Sequence, residues 1–230
     1  MKKYEVILWD VDDTLLDFGL SQDYALRYTF EKYGISINEQ IVQTYSEINK
    51  SYWERLERGE ITKKEVLLGR FTGLFEHMSI TDIDVNTFKE IYQEALGSVY
   101  FYKDDSFQLC QELATEFKQY VVTNGVTSTQ QNKLALSGFD KLMDGIFISE
   151  QIGSPKPAVS FFEKCLEQIP QISKDKILIV GDSLTSDMKG GNNIGISCCW
   201  YNPSQKENHS DVFVDYEIAN LWEVKEILYG

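Results

Sequence analysis

Apolar and polar positions change rhythm twice along this 230-residue chain. A short apolar run, centred on Val6-Ile7-Leu8-Trp9, predicts a strand over residues 4–10, and it stops abruptly in the acidic triplet Asp10, Asp12 and Asp13. From about residue 20 to residue 98 only helical periodicity follows. One helix is predicted over 24–33 with Gly34 as its stop, and a second over 37–58, opening near Asn38 and closing at Gly59. A third is announced by Thr62-Lys63-Lys64-Glu65, which has capping-box spacing, and a fourth covers 85–96.

Beyond residue 100 strands and helices alternate. Helices are predicted near 107–117, 128–136, 159–169, from about 184, and over 219–228; strands over 119–123, 145–149, 176–181, 196–201 and, briefly, 212–214. Such alternation implies an α/β fold with a doubly wound parallel sheet, because each crossover between parallel strands needs a helix to carry it. The first strand then belongs to the same sheet, which makes the helical block an insertion. The expected division is a catalytic core of residues 1–16 and 100–230 and an all-helical cap of residues 17–99, lying over the strand ends as a lid. No repeat or low-complexity segment interrupts this plan, and two of the four prolines flank Lys156.

Charge narrows the partners. With 22 basic and 36 acidic residues the net charge is −14, so nucleic-acid backbone and anionic membranes are repelled, and no block of Lys and Arg offsets this. A small anionic substrate remains open if a metal ion reverses the field locally, and an acidic cluster at Asp10, Asp12 and Asp13 suits that role. Cys110, Cys165, Cys198 and Cys199 form no Cys-x-x-Cys pair and only His77 and His209 could join them, which argues against a zinc site or disulfide framework. Cys198-Cys199 falls within an apolar strand and reads as core. The apolar run of residues 6–9 is too short for a signal peptide, and no stretch approaches the roughly 18 residues of a membrane span. The expectation is a reduced, cytoplasmic protein, a monomer or small homo-oligomer, acting on a small molecule.

Four strand ends carry polar groups. Open α/β sheets bind ligands beyond the carboxyl ends of their strands, which is where Asp10 and Asp12 fall, although Asp-x-Asp-Asp-Thr also suits a solvated turn before a helix. Val121-Val122-Thr123-Asn124-Gly125 can donate to a phosphate from side chain and backbone, or simply end a strand in a turn. Lys156, between Pro155 and Pro157, can neutralise a phosphoryl oxygen or sit in solvent. Asp182 and Asp187, after Ile177-Leu178-Ile179-Val180-Gly181, can bind a metal or serve the start of a helix. Each feature alone is ambiguous, but together they supply a nucleophile, an acid, phosphate donors, a cation and metal ligands.

In this order and spacing the motifs resemble the haloacid dehalogenase superfamily, with Asp10-Val11-Asp12-Asp13-Thr14, Thr123, Lys156, and Asp182 with Asp187 matching its four motifs and residues 17–99 its helical C1-type cap. The resemblance implies a Rossmann-like core and Mg²⁺-dependent phosphate chemistry. Asp10 would be the nucleophile, Asp12 the acid and base, and Thr123 and Asn124 the phosphate donors, while Lys156 would offset the charge. Asp10, the Asp12 carbonyl and Asp182 would hold the metal, with Asp187 orienting its shell. Asp12 argues for phosphate rather than halide chemistry, since a departing halide needs no proton. Asp13 stands where many members carry glycine.

The runs at residues 9–18, 122–125, 146–150, 153–157 and 200–203 look like those of pyrimidine 5′-nucleotidase-type phosphatases. That points to nucleoside 5′-monophosphates as substrates, with Phe18, Tyr24, Tyr52 and Trp53 as candidate stacking partners that helical spacing also explains as core. Alternatives are a sugar phosphate or phosphoglycolate phosphatase, a phosphoglucomutase, and a non-enzymatic phosphate-accepting receiver module. The last is about half this length and has no inserted helices.

Overall fold

The computed structural model describes residues 2–230, which form two compact units. The first comprises the residues up to Phe18 together with Tyr100–Gly230, and the second is Gly19–Val99.

The first unit is built on six parallel strands. In chain order these are β1 (Val6–Trp9), β2 (Lys118–Thr123), β3 (Gly145–Ile148), β4 (Ile177–Gly181), β5 (Ser197–Tyr201) and β6 (Tyr216–Ile218). They lie in the order β3-β2-β1-β4-β5-β6. Side chains alternate across the strands. Ile7, Trp9, Val121, Leu178 and Val180 enter one apolar layer, whereas Val6, Leu8, Val122, Ile177 and Ile179 enter the other. Burial of both faces explains why the strands read as continuous apolar runs. Gln119 brings a polar side chain into this layer at a fixed place: it accepts from Trp9 Nε1 at 3.0 Å and donates to the Cys110 carbonyl at 2.8 Å, so neither buried group is left unpaired. The sheet winds outward in both directions from β1 and β4, and the crevice at such a reversal is where open α/β sheets bind ligands.

The helical unit holds most of α1 (Phe18–Lys32), then α2 (Glu39–Glu57), α3 (Lys63–Met78) and α4 (Val85–Leu96). Its boundaries follow local chemistry. Asn38 accepts from the Ile41 amide, Thr62 and Glu65 form a reciprocal capping box, and Asp84 accepts from the Thr87 amide. Gly34 and Gly59, with φ of 70° and 74°, end the first two helices in left-handed backbone. The interior is aromatic, with Phe30 against Phe88 at 4.8 Å and Phe71 against Tyr92 at 5.0 Å between ring centroids. Within it runs a buried polar chain. Asn49 Nδ2 donates to Gln22 Oε1 at 3.1 Å, and Asn49 Oδ1 accepts from Arg70 Nη1 at 2.7 Å and from Trp53 Nε1 at 3.2 Å. Back in the first unit, α5 (Ser106–Leu113) precedes β2 and α6 (Thr127–Ser137) follows it.

Several elements differ from expectation. α1 starts at Phe18, six residues before the apolar pattern begins. The strand expected at 212–214 is absent, because the Asn192 side chain takes both backbone groups of Phe213: Nδ2 donates to its carbonyl at 3.0 Å and Oδ1 accepts from its amide at 2.8 Å. The ladder instead forms four residues later, where β6 pairs with Cys199–Tyr201. The last helix is also shorter than 219–228. Asn220 and Glu223 cap a 3₁₀ turn over Leu221–Glu223, and α-helix follows only over Val224–Tyr229. The segment from 184 opens as a π-turn, Leu184–Met188, before helix Lys189–Ile194. Short helices at Phe139–Leu142 and Ser149–Ile152 carry no periodicity that a sequence could reveal.

Replacing Asn49 with alanine strips the buried Arg70 guanidinium of its acceptor. Denaturant unfolding should show N49A less stable by about 2–4 kcal/mol, the range for leaving a buried charged donor unpaired.

Candidate active site

Asp10 follows the last residue of β1, and its amide still donates to the Val180 carbonyl at 3.0 Å, so the sheet itself fixes where this carboxylate points. The chain then turns sharply. Leu16 N donates to Val11 O at 2.8 Å and Asp13 N to Leu16 O at 2.8 Å. Asp13 takes φ of 64°, a left-handed conformation that glycine adopts freely and aspartate tolerates, which gives the Asp-for-Gly departure a physical basis. Its carboxylate accepts from the Phe18 amide at 3.2 Å, and burial raises its pKa against the pull of Lys103.

At the end of β2, Thr123 is buried and its Oγ1 accepts from the Gly125 amide at 3.1 Å, which leaves the hydroxyl proton free to donate. Asn124 clamps the lysine loop from both sides: Nδ2 donates to the Lys156 carbonyl at 3.0 Å and Oδ1 accepts from the Lys156 amide at 2.9 Å. Lys156 is 1 % exposed and far from solvated. Its Nζ donates to Asp10 Oδ1 at 2.6 Å, to Asp187 Oδ1 at 2.6 Å and to the Val122 carbonyl at 2.9 Å.

Asp182 and Asp187 reach the same place from the end of β4. Asp187 Oδ2 accepts from the Ser183 amide at 3.2 Å across the π-turn, and Ser183 Oγ accepts from the Ser186 amide at 3.1 Å. Gly181 is a spatial requirement here, since a Cβ would lie 2.4 Å from the Asp187 carboxyl group. The Asp182 carbonyl accepts from Trp200 Nε1 at 2.8 Å.

Asp10, Asp182 and Asp187 can bring one oxygen each within 4.8 Å of the others. Asp10 and Asp187 share the Lys156 ammonium, and Asp182 adds a third carboxylate beside them. Burial pushes the Asp10 carboxyl up to about 7 although Lys156 pulls it down, and burial with Asp10, Asp13 and Asp187 pushes Asp182 well above its ordinary value. Burial alone would lower the Lys156 pKa, but Asp10 and Asp187 raise it, so the ammonium stays charged. An all-oxygen donor set with surplus negative charge fits a hard divalent cation such as Mg²⁺.

The structure thus brings Asp10, Lys156, Asp182 and Asp187 into one cluster, with Thr123 and Asn124 at the neighbouring strand end. Asp12 is held from elsewhere, by two residues that the sequence reading passed over. On α6, Lys133 Nζ donates to Asp12 Oδ1 and Gln130 Nε2 to Asp12 Oδ2, both at 2.5 Å. Their signal was available: positions 130, 133 and 134 share one helix face, and a lysine on a buried face calls for a partner. Among the aromatic candidates, Phe18 lies beneath the Lys133 ammonium at 5.6 Å, Tyr24 is exposed and stacks on Tyr28, Tyr52 lies against Arg55, and Trp53 joins the Asn49 chain.

The family model of haloacid dehalogenase-like hydrolases matches residues 7–201, and the chain belongs to that family. It is 38% identical to the HAD-hydrolase YfnB of Bacillus subtilis over 99% of this chain and 97% of that protein. To the pyrimidine 5′-nucleotidase PynA of Streptococcus pneumoniae it is 36% identical over 98% and 95%. YjjG of Escherichia coli, also a pyrimidine 5′-nucleotidase, is 27% identical over 98% of both chains. The magnesium-bound crystal structure of YfnB superposes with a TM-score of 0.92 over 99% of each chain. L-2-haloacid dehalogenase of Xanthobacter autotrophicus shares the fold, at a TM-score of 0.79 and 17% identity over 99% of each chain.

Replacing Lys156 with methionine would leave Asp10 and Asp187 buried against each other. Without divalent cation, K156M should lose about 3–5 kcal/mol in urea unfolding, and adding Asp10→Asn should recover part of that loss.

Proposed function

We propose that this hydrolase is a Mg²⁺-dependent phosphatase that works through a phosphoaspartyl intermediate and prefers pyrimidine nucleoside 5′-monophosphates. The observation that carries the phosphatase reading is a buried strand-end carboxylate, Asp10, within 2.6 Å of a buried lysine, with a second carboxylate, Asp12, two residues on. A carboxylate cannot approach a phosphate dianion unless cations cancel the repulsion, and Lys156 is placed to do so. Asp10, the Asp12 carbonyl and Asp182, with Asp187 beside them, would hold Mg²⁺, which when bound would supply the remaining neutralisation of the phosphoryl oxygens.

In the first half-reaction an Asp10 oxygen attacks phosphorus, the ester P–O bond breaks, and Asp12 gives its proton to the departing oxygen. The Thr123 hydroxyl and the Asn124 amide donate to the phosphoryl oxygens. In the second half, Asp12 takes a proton from water, the water oxygen attacks phosphorus, and the bond to Asp10 breaks to release phosphate. Halide displacement has no use for that proton, which sets Asp12 against a dehalogenase reading. Similarity to PynA and YjjG over nearly the whole chain supports the nucleotide preference. Among the described residues no helix is long and apolar enough to cross a membrane, and four free, buried cysteines fit a reducing cytoplasmic setting.

With Mg²⁺ the purified protein should release phosphate from p-nitrophenyl phosphate, and from UMP, dUMP or dTMP faster than from sugar phosphates or phosphoglycolate; excess EDTA should abolish release. Equal rates on nucleotides and sugar phosphates would remove the nucleotide preference and leave the phosphatase. Asp10→Asn should lose at least about 1,000-fold in turnover while keeping the circular dichroism spectrum of the parent. Retained activity would mean that another group is the nucleophile.

A further inference from the structure

Lys133 is completely buried, and among the described residues its one carboxylate partner is Asp12. Lysine is almost never buried to that degree without a compensating task, and α6 has no packing need for an ammonium where a methionine would fill the same space. The geometry is also specific. Gln130 and Lys133, three residues apart on the buried face, each take a different oxygen of the same carboxylate, so the two contacts together fix both the position of the group and the plane in which it lies. Gln130 is itself braced: a Cβ at Gly125 would lie 2.1 Å from its Nε2, so its amide packs against the backbone that follows β2. The Lys133 ammonium rests 5.6 Å from the centre of the Phe18 ring. Asp10 has no part in this pair of contacts, being held by Lys156.

We infer that Lys133 and Gln130 are positioning residues for Asp12, setting the orientation from which it delivers a proton to the leaving oxygen. The inference deepens the phosphatase reading and rests on Asp12 being the general acid there. No group other than Asp12 touches the ester oxygen in this scheme, and α6 acts only through it. A carboxylate anchored by two side-chain donors keeps its aim between turnovers, whereas a free one would sample several rotamers.

The consequence depends on the leaving group. A nucleoside or other alkyl alcohol departs only if protonated, while p-nitrophenolate departs without help, so loss of aim should harm the first and spare the second. The measurement is kcat/KM, which is insensitive to breakdown of the phosphoenzyme, for UMP and for p-nitrophenyl phosphate. In Lys133→Met it should fall about 30-fold or more for UMP and less than about 5-fold for p-nitrophenyl phosphate. Gln130→Leu, a second variant in case the first folds poorly, should show the same pattern more weakly. Asp12→Asn is the reference. If Asp12→Asn loses UMP selectively but the α6 variants lose both substrates equally or neither, the positioning role is wrong. If Asp12→Asn itself shows no selectivity for the alkyl ester, the general-acid reading fails and takes the inference with it.

Discussion

The ammonium of Lys156 is the constraint on which the site depends. It lies between Asp10 and Asp187, 2.6 Å from each, and also donates to the β2 backbone, so one cation joins the ends of three strands. Without it the carboxylates gathered there would repel one another in a medium that screens poorly. With it the group is still one-sided, because Asp182 adds charge that Lys156 cannot cancel. A site of this kind is stable enough to fold and negative enough to attract a divalent cation. The whole chain carries −14, so local reversal of the field is a condition for meeting any phosphate at all.

The sheet explains why these groups meet. β1 and β4 stand far apart in the sequence, yet they are neighbours in the sheet, in a register that pairs Trp9 with Val180. That register puts Asp10 and Asp182 just beyond adjacent strand ends. Asp187 needs a further device. The π-turn over Leu184–Met188 lets it fold back over Gly181, whose missing side chain leaves the space that the carboxylate fills. Asn124 does for the lysine loop what the ladder does for the strands, exchanging two hydrogen bonds with the Lys156 backbone.

Much of this was legible in the chain because strand-end chemistry is local. An apolar run followed by Asp10, Thr123 or Asp182 announces both the strand and the group that it presents, and parallel topology then collects the ends. The helix caps at Asn38 and Thr62 are equally local and fell where their side chains indicate. What escaped depended on distant partners. Phe213 is kept out of the ladder by Asn192, 21 residues away, and nothing in Val212-Phe213-Val214 itself reveals that. Lys133 and Gln130 meet Asp12 across 121 and 118 residues, so a helix face that looks merely mixed in sequence is a polar socket in the structure.

The fold alone leaves the chemistry open. A haloacid dehalogenase shares this architecture, and a strand-end nucleophile is as useful against carbon bearing a halide as against phosphorus. The difference lies in what must be done for the leaving group, and the proposed mechanism gives that task to Asp12. Placing this carboxylate two residues after Asp10 is not sufficient, because the turn that carries it is free of the sheet's ladder and its side chain would otherwise choose among rotamers. Binding both of its oxygens to α6 gives this carboxylate a fixed origin that is independent of Lys156. The two carboxylates are thereby held by separate cations, Lys156 for Asp10 and Lys133 for Asp12, and under the proposed mechanism that separation lets groups two residues apart take different parts in one reaction.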